Sequence, residues 1–348
     1  MDASASTSGK SWKNKRVLVT GINGFIGGNL TRRLLSEGAL VTGIDINEDR
    51  NSMLRFDGLA DQANVISGDI CDRTLMEQLI RNGQFDVCFH LAAQVEVGVA
   101  LLDPFSTFES NIRGTYTLLD AIKTFAPNIK AIVVASTDKA YGSYPAEFMP
   151  YREDYPLKPE FPYDTSKACA DMIAQSYAND FFKLPIVVTR FCNIFGPGQL
   201  NFSALIPDAI QCGLGYKKFV PRGNGSHIRD FIFSEDVADL YLRIADALTE
   251  SPESFRGKVY NAGANEPRSV RSVLEQLFEM LGKADEINEI AEQMKYASTT
   301  GEIDTQYMDF MTVKRDFGWE PKTSFTNGLQ QTIDWFKLYL LSEKGPAS

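Results

Sequence analysis

Two short stretches carry side chains whose type and spacing could do acid–base work. In PYDTSKACAD, Tyr163 and Lys167 stand four residues apart. On a helix that spacing puts both side chains on one face. An ammonium beside a phenol favours phenolate and lowers the tyrosine pKa, making a base that can take a hydroxyl proton. In STDKAYG, Thr137, Asp138 and Lys139 follow the apolar run AIVVA. Charges at the end of a buried strand are expensive unless paired or used. A carboxyl and an amine side by side there would offer an acid and a base to one reacting group. The plainer alternatives are a surface pair on a helix for the first stretch and a structural ion pair for the second.

A third stretch, RVLVTGINGFIGGNLTRRLLSEGALVTGIDIN, repeats Gly21, Gly24 and Gly27 as G-x-x-G-x-x-G. A strand pattern precedes the glycines. A helix pattern follows, with Leu30, Leu34 and Leu35 on one face, and Gly38 ends it. The next strand closes on Asp45. Strand, glycine turn, helix, strand and terminal acid make a complete β-α-β unit for a dinucleotide. The glycines let backbone N–H groups approach a pyrophosphate at a helix N-terminus. Asn23, Phe25 and Ile26 lie in the same turn and belong to the same expected cofactor site. A carboxylate at Asp45 can accept both ribose hydroxyls of NAD and would repel the extra phosphate of NADP.

Further strand–helix alternation positions these groups. NVISGDI, DVCFHLAA, AIVVAST and IVVTRFCNIFG read as strands, with helices over about 72–82, 105–126 and 164–182. Such alternation predicts an α/β fold with a doubly wound parallel sheet of Rossmann type. Ligands of that architecture sit beyond the carboxyl ends of strands. There stand Asp69 and Ile70, then Leu91, Ala92, Ala93 and Gln94, and the STDK charges. From about residue 194 the pattern turns irregular, which suits a smaller mixed α/β substrate lobe. KVYNAGA, near 258–264, reads as a strand that rejoins the main sheet. The expected organisation is a flexible tail over 1–13, a cofactor-binding domain over 14–193 and an interleaved substrate lobe over 194–348.

Composition excludes several classes of function. The 348 residues hold 35 Lys and Arg against 45 Asp and Glu, a net charge of −10 without a basic stripe, which argues against nucleic acid or an anionic membrane as partner. No apolar run approaches the roughly 18 residues of a membrane span, and the first residues lack the apolar segment of a signal peptide. Five cysteines lack CxxC spacing and there are only two histidines, so a Cys/His metal site is not expected and the thiols point to a reducing cytoplasm.

Together these residues resemble the extended short-chain dehydrogenase/reductase family, whose members act on nucleotide-diphosphate sugars. The resemblance runs from VLVTGINGFIG to FGWEPKTSFTNGLQQTIDWF and implies NAD as cofactor. It implies a catalytic triad of Thr137, Tyr163 and Lys167, an adenine contact at Asp69 and Ile70, and phosphate contacts from Asn193 and Arg229. Asn111, in PFSTFESNIRGT, joins the cofactor-binding set, as do Tyr163 and Lys167. Within the family, Thr137-Asp138-Lys139 is similar to the 4,6-dehydratases that act on CDP-glucose, where thymidine-linked relatives have Thr-Asp-Glu and epimerases have small neutral residues. The implied reaction oxidises carbon 4, removes water across carbons 5 and 6, and reduces carbon 6. Lys139 would be the base at carbon 5 and Asp138 the acid for the 6-hydroxyl. Epimerases and decarboxylases share fold, cofactor and triad, while a non-catalytic sensor need not keep the triad. Relatives carry an Arg-Pro-Gly where this chain has Thr299-Thr300-Gly301, so one phosphate-binding arginine is missing there or supplied elsewhere. Relatives also pair helices into a homodimer, which here would use Tyr116, Leu118, Leu119, Met172, Ile173 and Tyr177.

Overall fold

The computed structural model describes residues 12–46, 51–297 and 302–344. Most of the expected tail and the Thr299-Thr300-Gly301 stretch lie outside the described residues. Seven parallel strands form the main sheet: β1 (Arg16–Thr20), β2 (Leu40–Asp45), β3 (Asn64–Ser67), β4 (Val87–His90), β5 (Ala131–Thr137), β6 (Ile186–Phe191) and β10 (Val259–Ala262). Their order is β10-β6-β5-β4-β1-β2-β3. The chain therefore winds outward both ways from β1, and the switch point between β1 and β4 opens a crevice at their carboxyl ends. The expected doubly wound sheet is present. Its centre is buried on both faces: Val17, Leu18, Val19, Phe89, Ile132 and Val133 are inaccessible to solvent, as the continuous apolar runs of a covered parallel sheet require.

The remaining short strands are β7 (Asn193–Phe195), β8 (Ile228–Arg229), β9 (Phe231–Phe233), β11 (Arg268–Ser269) and β12 (Thr305–Gln306). β7 pairs with β9, and β11-β8-β12 form a three-stranded sheet. A separate apolar cluster, with Phe195, Phe231, Phe233, Leu274, Phe278 and Phe336, underlies this part of the chain. β10 returns to the edge of the main sheet beside β6.

Three expected elements differ in form. The run read as one strand from 186 divides at Cys192 into β6 and β7, which belong to different sheets. The helix read over 105–126 is helical at Pro104–Phe108 and Gly114–Phe125, with a π turn at Glu109–Arg113 between them. The helix read over 164–182 spans Pro162–Tyr177. It stops early because the Asn179 side chain accepts the N–H groups of Phe181 and Phe182 (2.9 and 3.0 Å), and Lys183 then turns left-handed at φ 58°. That local side-chain bonding competes with helix. Of the six residues expected at a dimer face, Leu118 and Leu119 are wholly buried in their own core and Ile173 and Tyr177 pack against it. Helices present one apolar stripe to the sheet first, and those residues lie on it. Tyr116 and Met172 are exposed.

Candidate active site

The glycine turn is closed by its own backbone. Gly21 has φ +74°, and a Cβ there would stand 2.8 Å from the Ala92 nitrogen. A Cβ on Gly27 would be driven into the Gly21 carbonyl oxygen, while one on Gly24 would meet only that oxygen, at 3.1 Å. Gly24 caps the helix Phe25–Ser36 without any side-chain hydrogen bond. The first-turn N–H groups of that helix thus have no side-chain cap, the condition for receiving an anion. Phe25 and Ile26 begin the helix half-buried, and the Phe25 carbonyl accepts Asn29 Nδ2 at 3.0 Å. Asp45, at the end of β2, is held by the Asn23 N–H on Oδ2 (2.9 Å). These residues fit a dinucleotide: an uncapped helix start, a turn closed to side chains at Gly21 and Gly27, and a carboxylate at the next strand end.

Around this turn the other expected cofactor residues gather. Asp69 Oδ1 accepts the Cys71 N–H (2.8 Å), and buried Ile70 occupies the place a Cβ of Gly114 would take. The N–H groups of Leu91 and Ala92 both donate to Thr20 Oγ1 at 3.1 Å. The Gln94 N–H donates to Asn111 Oδ1 (2.7 Å), and Asn111 Nδ2 returns a bond to the Gln94 carbonyl (2.9 Å) and another to Ser166 Oγ (2.8 Å). Asn111 therefore serves first as a clamp between the loop Leu91–Gln94, with Ala93 inside it, and the helix that carries Tyr163.

Buried His90, which sequence reasoning gave no role, extends the clamp. Thr115 Oγ1 donates to the Asn111 carbonyl (2.6 Å) and so accepts from His90 Nε2 (2.9 Å), leaving His90 Nδ1 to accept from Thr20 Oγ1 (2.8 Å). Burial, aided by the Lys167 charge, lowers the imidazole pKa to about 3. The ring is a neutral link between the glycine loop and the Tyr163 helix.

The second half of the site stands at the end of β5. Thr137 Oγ1 donates to Asp138 Oδ1 (3.1 Å) and accepts the Lys139 N–H (3.3 Å), starting the short helical turn Asp138–Tyr141. Asp138 is buried, and its Oδ2 has no hydrogen-bond partner among the described residues. Burial raises its pKa, against the opposing pull of Lys139, the Thr137 hydroxyl and Arg229. Lys139 Nζ lies 3.5 Å from Gln306 Oε1. Behind the turn, Arg190 binds Asp171 through two nitrogens (2.8 and 3.2 Å) and donates to the Tyr141 hydroxyl (2.7 Å), which donates to Asn261 on β10 (2.8 Å). A buried pair with its lone pairs satisfied in this way fixes geometry more than it adds stability.

Tyr163 and Lys167 share the first turns of the helix Pro162–Tyr177, but the expected lowering of the phenol pKa is absent. Burial, with the Asp138 and Asp164 carboxylates, pushes Tyr163 up, and the Thr137 hydroxyl acts the other way. Lys167 Nζ is instead engaged by the Ala135 carbonyl (2.6 Å), and burial lowers its pKa to about 8. Asp164, next to the phenol, was passed over in the sequence. It is buried, and that burial, together with Asp138 and Glu160, raises it to about 6 despite Lys139.

The two residues expected at the substrate phosphates sit on the short strands. Asn193 Nδ2 donates to the Asp230 carbonyl (3.3 Å). Arg229 is buried, with Nη1 on the Ile228 carbonyl (2.9 Å) and Nη2 on Glu302 (3.0 Å). Among the described residues no cluster of His, Cys, Asp and Glu could hold a metal ion, and no helix is long and apolar enough to cross a membrane.

Comparison with known proteins places the chain among relatives that share its fold. A Haloferax volcanii low-salt glycan biosynthesis protein, Agl12, is 33% identical over 92% of this chain and 98% of its own length. The crystal structure of dTDP-glucose 4,6-dehydratase from Bacillus anthracis in complex with NAD is similar at a TM-score of 0.78, with 31% identity, over 93% of this chain and 96% of that one. UDP-glucose 4-epimerase from Thermotoga maritima, solved with UDP-glucose, is similar at a TM-score of 0.79 and 25% identity, over 93% and 99%. Residues 18–332 match the GDP-mannose 4,6 dehydratase family, and the chain belongs to it.

Proposed function

We propose that the protein is an NAD-dependent nucleotide-sugar 4,6-dehydratase, converting a nucleotide-linked hexose to its 4-keto-6-deoxy form. The observation that carries the reading is Asp138, a buried carboxyl pushed toward its neutral form, with one oxygen on Thr137 and the other without a partner. A neutral carboxyl can hand a proton to a departing hydroxyl, a task that epimerisation does not pose. NAD, held by the Gly21–Gly27 turn and Asp45, would take the hydrogen on carbon 4 and return it at carbon 6. Tyr163 takes the 4-hydroxyl proton, with the Thr137 hydroxyl beside it lowering its pKa, while Lys167, one helical turn on, is anchored on the Ala135 carbonyl. Once carbon 4 is a ketone, the proton on carbon 5 is acidic enough for a modest base, the role assigned to Lys139. Asp138 protonates the 6-hydroxyl as it leaves.

We infer CDP-glucose as substrate from Thr137-Asp138-Lys139, with Asn193 and Arg229 toward the diphosphate. Incubation with CDP-, dTDP-, UDP- and GDP-linked hexoses and mass analysis of the products tests both points. Loss of one water supports dehydration, and the sugar nucleotide that reacts fastest names the base. The likeness to the Thermotoga 4-epimerase supports a second reading, for which a product of unchanged mass is the mark. Exposed Leu102, Phe105, Tyr116 and Met172 support a homodimer through the helices that carry them. Sedimentation as a single monomeric species at micromolar concentration would overturn that.

A further inference from the structure

Gln306, on β12, is buried to 1% exposure, and register pairs it with Arg229 on β8. Arg229 is paired in turn with Arg268 on β11. Residues opposite one another in a ladder project from the same face, so Gln306 continues a row of two guanidinium side chains. Its Oε1 faces the Lys139 ammonium at 3.5 Å. With the amide in this direction Oε1 accepts from Lys139 whether the amine is charged or neutral, so the contact survives the proton loss that a base requires. Gln306 Nε2 is buried without a hydrogen bond of good geometry; it reaches only loosely toward the oxygen of the Tyr151 hydroxyl, whose pKa it helps to lower and whose own proton goes to the Gly142 carbonyl (2.6 Å). Asp138 Oδ2, on the residue before Lys139, lacks a partner. An unpartnered carboxyl oxygen and a loosely held amide N–H beside one lysine leave a place for a better partner. A hydroxyl oxygen has two lone pairs and can accept from an amide N–H and a carboxyl O–H together.

We propose that Gln306 is a substrate-positioning residue of the dehydration step, its Oε1 holding Lys139 and its Nε2 donating to the sugar hydroxyl that leaves. The inference rests on the dehydratase reading. In the step, the base takes the proton from carbon 5, the C–H electron pair forms the double bond between carbons 5 and 6, and the C–O bond breaks. The leaving oxygen keeps its electron pair, takes the Asp138 proton and departs as water. Gln306 exchanges no proton.

The test compares wild type, Gln306→Glu and Gln306→Leu in D₂O, using whichever nucleotide-linked glucose wild type dehydrates. Glu keeps the size and the oxygen toward Lys139 but replaces the donor with an acceptor. Both variants should lower kcat for water loss by about tenfold or more, the worth of one positioned hydrogen bond, with KM changed less than about threefold. Recovered, undehydrated hexose should carry deuterium at carbon 5, since proton removal there continues while water loss stalls. A Gln306→Glu enzyme at wild-type kcat without that deuterium overturns the assignment, and that variant also decides should Gln306→Leu fail to fold. Absence of water loss in wild type itself is a different result, which brings down the dehydratase reading and this inference with it.

Discussion

Around the glycine turn the protein's own backbone fills the available space, whereas around Asp138 buried polar atoms outnumber their partners. Gly21 lies against Ala92, Gly27 against the Gly21 carbonyl, and the loop Leu91–Gln94 is tied to Thr20 and Asn111. At the end of β5, by contrast, Ser136 Oγ, Asp138 Oδ2 and Gln306 Nε2 all lack a hydrogen bond of good geometry. Leaving a buried polar group unpaired costs about 1–3 kcal/mol, a cost that persists where the surroundings hold the strain in place. The difference teaches where each end keeps its specificity. The cradle keeps its specificity in the shape of its backbone, although Thr31 Oγ1 on its helix is also unpartnered, and the dehydration end in a closer cluster of such polar groups.

The largest effects should come from the polar end. Tyr163→Phe should abolish turnover, because it removes the hydroxyl assigned to take the 4-hydroxyl proton. Asp138→Asn and Lys139→Ala should leave that first stage intact and slow water loss by roughly a hundredfold to ten-thousandfold, the usual worth of a positioned acid or base. Quenched reactions of these two variants should retain 4-keto hexose that still carries its 6-hydroxyl. Wild-type rates in both would reduce Asp138 and Lys139 to a structural pair and favour the epimerase reading.

At the cradle the expected loss is of binding. Gly27→Ala sets a methyl against the Gly21 carbonyl oxygen, which only a shift of the turn can relieve, whereas Gly24→Ala meets the same atom at 3.1 Å. Calorimetric titration with NAD should show Gly27→Ala weakened by about tenfold or more and Gly24→Ala weakened less, since small-to-large changes in a filled site cost about 1–3 kcal/mol. Equal affinities would mean that the turn yields more easily than its contacts imply.

What the sequence made legible follows the same division. The glycine turn, Asp45, the Tyr163–Lys167 pair and Asp138–Lys139 are each local, readable from spacing within a few residues. Gln306 reaches Lys139 across 167 residues of chain, through a strand of two residues with no periodic signal. Asn111 was named for the cofactor, but its links to His90 and Thr115 were equally hidden, because those two are ordinary polar residues until the helix packs against the sheet. The Tyr163 pKa went astray for a physical reason: Y-x-x-x-K spacing fixes the helix face, but burial and the Ala135 carbonyl decide where the lysine's charge is spent.

The smallest effect tests whether the polar end is also the strained end. Asp164 has a raised pKa of about 6, above the ordinary carboxylate value of 3.8, because burial and neighbouring carboxylates disfavour its charge. The folded state therefore holds this proton more tightly than the unfolded chain does. Its contribution is fully present below about pH 4 and is lost as pH rises through about 6. Above that, the buried charge is a burden that Asn would not carry. Asp164→Asn should accordingly raise the thermal midpoint at pH 7 by a few degrees, with the gain shrinking toward zero at pH 4. The same variant should not exceed wild type in activity, as expected where a destabilised group serves the reaction. A stability gain that is independent of pH would place its cause in packing instead. A loss at pH 7 would mean that the Asp164 charge is held favourably by Lys139 and the helix N-terminus, and that Asp164 is not part of the strain at this end of the site.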